Sequence, residues 1–245
     1  VVIDIDAMLQ NFPGLDCIPR DAVDSIVDSI LESNNINGLQ AFITTDISLI
    51  GEVFTTNHHN VIVIDGSSAV SISTSNISGD ATLTHGPSVP DGGNENGLRI
   101  VNVGSFSLTS SNISDNYASG IYLENTSGID ISSNSFSGNS WSAIRQIGGT
   151  LSNISDNLFT ENQHDSQNSS NTGGAIYTDM PGTEILSNEF SGNIATYGGA
   201  IYIQSGSPIV YDNLITGNTS YLSGGAIYVG GKNCTISAIT GINCS

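Results

Sequence analysis

The sequence predicts an all-β chain, a single-stranded right-handed parallel β-helix (a solenoid) with an N-terminal α-helical cap. Three observations carry this expectation. The hexapeptides Ser111–Asn116, Asn134–Asn139, Asn157–Asn162, Asn188–Asn193 and Asn213–Asn218 share the pattern x-[Phe/Ile]-[Ser/Thr]-x-Asn, with last residues Asn116, Asn139, Asn162, Asn193 and Asn218 spaced by 23, 23, 31 and 25. A second motif follows each anchor: Ser119-Gly120-Ile121-Tyr122, Ser142-Ala143-Ile144, and Gly-Gly-Ala-Ile-Tyr at 173–177, 198–202 and 224–228. Short alternating apolar runs between Gly and Asn then replace the 3.6-residue period of helices, so each unit is a coil of short strands.

A single coil cannot bury its apolar face, so successive coils stack, with equivalent residues about 4.8 Å apart in parallel strands. In that register Phe136, Phe159 and Phe190, with Ile113 and Ile215, are expected to fill one buried column. The Asn anchors are expected in the left-handed conformation, each bonding its amide to the Asn of the next coil. Gly-Gly-Ala is read as a tight backbone turn and the Ile after it as inward-pointing. A leucine-rich repeat has a similar length but requires Leu where this chain has Ser and Asn.

The paired Phe-x-x-Asn and Gly-Gly-Ala-Ile motifs, over roughly residues 80–244, resemble the passenger repeats of chlamydial polymorphic outer-membrane proteins and related bacterial surface β-helices. Ile113 and Ile215 stand in place of Phe, and Ser119-Gly120 and Ser142-Ala143 in place of Gly-Gly. Cys17-Ile18-Pro19-Arg20-Asp21-Ala22 is similar to the Cys-Ser-Leu-Arg-Glu-Ala element that opens many such surface proteins. The resemblance implies a secreted or cell-surface protein.

Residues 1–38 are expected to form the N-terminal strand and capping helix, and 39–245 the coils. Val23, Ile26, Val27, Ile30 and Leu31 lie on one stripe of a helix, with Asp21 as N-cap, and such a lid would cover the first coil. At the other end Ile236, Ile239 and Ile242 read as a further coil with no amphipathic cap after it. This uncapped end is expected to meet either more chain or another subunit.

The chain carries 4 Lys+Arg against 23 Asp+Glu, a formal charge of −19 over 245 residues. Such a field repels phosphate backbones and anionic lipid, excludes nucleic acid as a partner and disfavours polyuronate substrates. No apolar run approaches the ~20 residues of a membrane span. Catalytic residues are not assigned. Asp156 and Asp212 sit in equivalent positions two coils apart with Ser187 between them, but no basic partner accompanies them, and they are expected to be outward solubilising acids. The expected function is therefore a structural or adhesive module without catalytic activity. The alternatives are a polysaccharide lyase or hydrolase, and a self-assembling filament or layer subunit.

Ligands are expected on the flank where two insertions leave the same corner, residues 85–96 and 163–171. The residues assigned there are His85, Asp91, Asn94, Glu95, Asn96, His164 and Asp165, and the partner is a glycan or protein surface. Asp91, Asn94 and Asn96 also offer oxygen ligands to Ca²⁺, in a register that matches neither an EF-hand nor the Gly-Gly-x-Gly-x-Asp nonapeptide, so no cofactor is otherwise expected. The adjacent His58 and His59 point to opposite faces of a strand and do not share a metal. Cys234 and Cys244 are close enough in sequence for a terminal disulfide in an oxidising compartment, with two free thiols as the alternative. Asn-x-Ser/Thr sequons at Asn76, Asn112, Asn125, Asn153, Asn168, Asn218, Asn233 and Asn243 are candidate glycosylation sites. Thr82-Leu83-Thr84 is isolated, so no ice-binding threonine array is expected.

Overall fold

A computed structural model describes residues 26–27, 30–32, 39–42, 46–55, 60–79, 95–163, 172–230 and 234–240. These residues wind into coils, each adding one strand to each of three parallel sheets. The first face has nine strands, from Ile26–Val27 to Thr235–Ser237. The second and third have eight each, from Ile30–Glu32 to Leu214–Thr216 and from Leu39–Phe42 to Ile227–Val229. A fourth pair, Ile194–Tyr197 with Thr219–Ser223, lies between the second and third faces.

Alternation sends one set of side chains from each strand into the tube. On the second face Ile113, Phe136, Phe159, Phe190 and Ile215 are in register and no more than 1% exposed. The three Phe rings stack at 4.9 and 4.8 Å between centroids, close to the strand spacing itself. Ile121, Ile144, Ile176 and Ile201 form the matching column on the third face, each 0% exposed.

The corners are built from two residues with separate duties. Between the first and second faces these are Ser133-Asn134, Asp156-Asn157, Ser187-Asn188 and Asp212-Asn213. The first member is left-handed, with φ of 59°, 56°, 53° and 55°, and turns the chain. The second is buried, and its amide reaches the neighbouring coils. The anchors repeat this one corner later: Asp115, Gly138, Glu161, Gly192 and Gly217 hold the positive φ, and Asn116 to Asn218 carry the ladder. The left-handed residue therefore precedes each Asn rather than being the Asn. A ladder amide must extend along the tube axis, and the tight turn falls to its neighbour.

The expected helix also gives way. Ile26–Val27 pairs parallel with Leu49–Ile50, and Ile30–Glu32 with Val53–Thr55, so these residues are the first coil. In these two short strands Ile26, Val27, Ile30 and Leu31 fall at the same sequence spacings as one face of a helix, and Leu31 is in register with Phe54 of the buried column. The rest of the expected cap, including the strand at Val1–Asp6, Cys17 and the N-cap Asp21, lies outside the described residues.

Candidate ligand-binding face

On the third face, the residue after each inward Ile points outward. Register brings Arg99, Tyr122, Arg145, Tyr177, Tyr202 and Tyr228 into one external column across six coils. The column is in continuous contact over much of its length. The Arg145 guanidinium lies 4.3 Å from the Tyr177 ring centroid, and that of Arg99 5.8 Å from Tyr122. Tyr177, Tyr202 and Tyr228 stack at 5.5 and 5.0 Å with nearly parallel planes, and Tyr197 leans on Tyr228 at 59°. Ring faces are thus turned toward the adjacent coils, and solvent meets ring edges and hydroxyls.

Two of the four basic residues in a chain of charge −19 stand in this column. They are not equivalent. Arg99 has a carboxylate at hand, Glu124 at 3.8 Å, and the Tyr122 hydroxyl donates to the same Glu124 oxygen at 3.3 Å. Arg145 has no carboxylate within 4 Å among the described residues, and its Nε is buried without a hydrogen bond. Burial, and then the Glu124 charge, raise the Tyr122 hydroxyl pKa above 10.0. Burial, with Tyr228 and Tyr197 behind it, does the same for Tyr202, whose hydroxyl donates to Gln204 Oε1 at 2.7 Å. These phenols stay neutral donors at ordinary pH.

A concave feature of about 890 Å³ follows the corner between the first and second faces. Its floor is the ladder of Ser75, Ser111, Asn134 and Asn157, and its walls include Asn112, Ser135, Asp156 and Glu189. It presents short hydroxyls, amides and the carboxylates of Glu52, Asp156 and Glu189, without an aromatic ring or a cation. The third face combines both.

A family model for the right-handed beta helix region matches residues 96–245. The chain belongs to the right-handed β-helix family. No curated protein and no solved structure matches it.

Within this β-helix, the insertion flank is legible only at its edges. Gly79 and Glu95 bound one insertion, Gln163 and Thr172 the other, and all four lie between the second and third faces. His85, Asp91, Asn94, His164 and Asp165 lie outside the described residues, as do His58 and His59. Glu95 and Asn96 do not stand on that surface: they are 6% and 2% exposed. The Asn96 amide donates to Asn60 Oδ1 at 3.0 Å, and its Oδ1 accepts from the Ser119 amide at 3.1 Å. It is a ladder residue, and its side-chain oxygen is already engaged where a Ca²⁺ would need it.

Of the sequons, Asn168, Asn233 and Asn243 fall outside the described residues. Asn125 is exposed. Asn112 Nδ2 donates to Asn76 Oδ1, and Asn153 Nδ2 to Asp130 Oδ1. Asn218 Nδ2, the atom a glycan would occupy, donates to the carbonyls of Phe190 and Thr216, so this sequon is structural. Cys234 is a half-buried free thiol packed against the core, and burial raises its pKa above 9.0. Its expected partner Cys244 lies outside the described residues. Asp156 and Asp212 are exposed corner residues, as expected, with Ser187 between them.

Sequence reasoning missed two features. The ladder of Asn134, Asn157, Asn188 and Asn213 was visible as the first letter of four of the aligned hexapeptides. The Arg/Tyr column was visible as the letter after Ile in the second motif, whose Ile alone was used.

Proposed function

We propose that this β-helix is a secreted or cell-surface adhesive module, without catalytic activity, that holds a glycan along its third face. The observation that carries the reading is the outward column of half-buried Arg145, Tyr177, Tyr202 and Tyr228, backed by Tyr122, which is 8% exposed. Stacked between coils, these side chains lose little further freedom on binding, and amphipathic Tyr edges with hydroxyl donors suit sugar hydroxyls and apolar ring hydrogens. A repeat near 4.8 Å along a rigid tube also presents the same chemistry at regular intervals to an extended chain. The likeness of the Phe-x-x-Asn and Gly-Gly-Ala-Ile motifs to chlamydial surface passenger repeats supports surface display.

The test is retention of the folded chain on immobilised glycans, with Tyr202→Ala and Tyr228→Ala beside wild type. Retention lost in both variants, at unchanged circular dichroism, is expected. Retention that survives both substitutions would place adhesion elsewhere. Incubation with pectin, alginate, xylan and mannan should release no new reducing ends or unsaturated products, and turnover abolished by Asp156→Asn would replace the adhesive reading with an enzymatic one.

A further inference from the structure

We propose that Arg145, framed by Tyr122 and Tyr177, recognises the carboxylate of one acidic sugar within an otherwise neutral glycan. The inference rests on the adhesive reading above and adds the chemistry of the ligand. Each side of Arg145 in the column is a tyrosine. The Tyr177 ring at 4.3 Å fixes the plane of the guanidinium, so its fork is oriented before a ligand arrives. Arg99, two coils away, already shares Glu124 with Tyr122. Arg145 lacks such a partner, and with Nε buried, the partly exposed remainder of the fork is what a ligand meets. A carboxylate accepts two parallel N–H bonds from that fork, with charge assistance.

The same charges limit the ligand to one acid. A polyuronate would bring a carboxylate on every sugar against a chain of −19, with one guanidinium among the described residues, that of Arg145, lacking a carboxylate partner. A single carboxylate meets Arg145 and leaves neutral sugars to lie beside Tyr202, Tyr228 and the exposed Gln204.

Calorimetric titration of the folded chain with matched probes tests this: lactose against sialyllactose, xylotetraose against its singly glucuronylated form, and polygalacturonate as polyanion. In at least one matched pair the acidic member should bind roughly ten-fold tighter or better, the range of a charge-assisted hydrogen bond. Within the Arg145→Gln variant the acidic and neutral members of each pair should bind alike, whereas Arg99→Gln should retain the preference. Circular dichroism of both variants guards against misfolding, and Arg145→Lys, with charge but no fork, should recover only part of the preference. Raising salt should weaken the acidic probe alone. Equal binding within both pairs, or a preference that survives Arg145→Gln, overturns the inference and leaves the adhesive reading standing. Tightest binding by polygalacturonate also overturns it. Binding by no probe overturns both.

Discussion

Replacing Asn139 by Ala should cost about 4 kcal/mol of stability. Its side chain is 0% exposed and makes four hydrogen bonds. Oδ1 accepts from Asn116 N at 3.3 Å and Asn116 Nδ2 at 2.8 Å. Nδ2 donates to Ile113 O at 3.2 Å and Asn162 Oδ1 at 2.8 Å. At a net ~1 kcal/mol for each bond the sum is ~4 kcal/mol, and the groups left behind stay buried where water does not replace the partner. Asn139→Asp keeps the acceptor but turns an anion toward Asn162 Oδ1 and Ile113 O, so it should cost no less. Asn153→Ala is the control. It faces outward and bonds Asp130 at an exposed position, and a loss within ~0.5 kcal/mol is expected. Urea titrations followed by circular dichroism would measure all three. A loss below ~1 kcal/mol for Asn139→Ala, or one equal to the control, would refute the claim that the internal ladders hold the coils together.

Phe190→Ala should cost ~3–5 kcal/mol, the range for a buried aromatic, since it removes the ring stacked 4.8 Å from Phe159; urea midpoints would show it. Gly199→Ala should prevent native stacking, because its Cβ would lie 2.2 Å from Gly225 O and 2.6 Å from Thr219 O, and loss of soluble folded protein is the readout. Alkaline pH should destabilise the fold. Tyr122 and Tyr202 have pKa values raised above 10.0 by burial, so the unfolded chain loses these protons first. Stability is fully present below pH 10.0 and falls as pH rises from there through the folded values, which thermal melts across that window would follow.

The coil repeat was legible because stacking makes each interior position answer to the same position in the next coil, so Phe136, Phe159 and Phe190 recur in step. The second motif was misaligned by one residue. Ile121, Ile144 and Ile176 are in register, so Ser119-Gly120 and Ser142-Ala143 match the Gly-Ala of 174–175 and not its Gly-Gly. The two glycines differ in purpose: Gly198 has φ +64°, whereas Gly199 faces the carbonyl of the next coil too closely for a Cβ. A string of letters does not separate these causes. Ile26, Val27, Ile30 and Leu31 were read as one face of a helix because apolar residues of two successive short strands fall at helical spacings. The ligand face was hidden for a different reason. Arg99, Tyr122, Arg145 and Tyr177 are 23 to 32 residues apart in sequence and meet only once coils of unequal length are brought into register.

The central claim, that the third face is the ligand face, is tested most directly by tyrosine nitration with mass-spectrometric mapping, in the presence and absence of saturating sialyllactose or glucuronylated xylotetraose. Tyr211 is an internal reference: it is 48% exposed and belongs to the first face. The account predicts that ligand shields Tyr177, Tyr202 and Tyr228 while Tyr211 is nitrated at the same rate as before. Shielding of Tyr211, or column tyrosines nitrated alike with and without bound ligand, would contradict it.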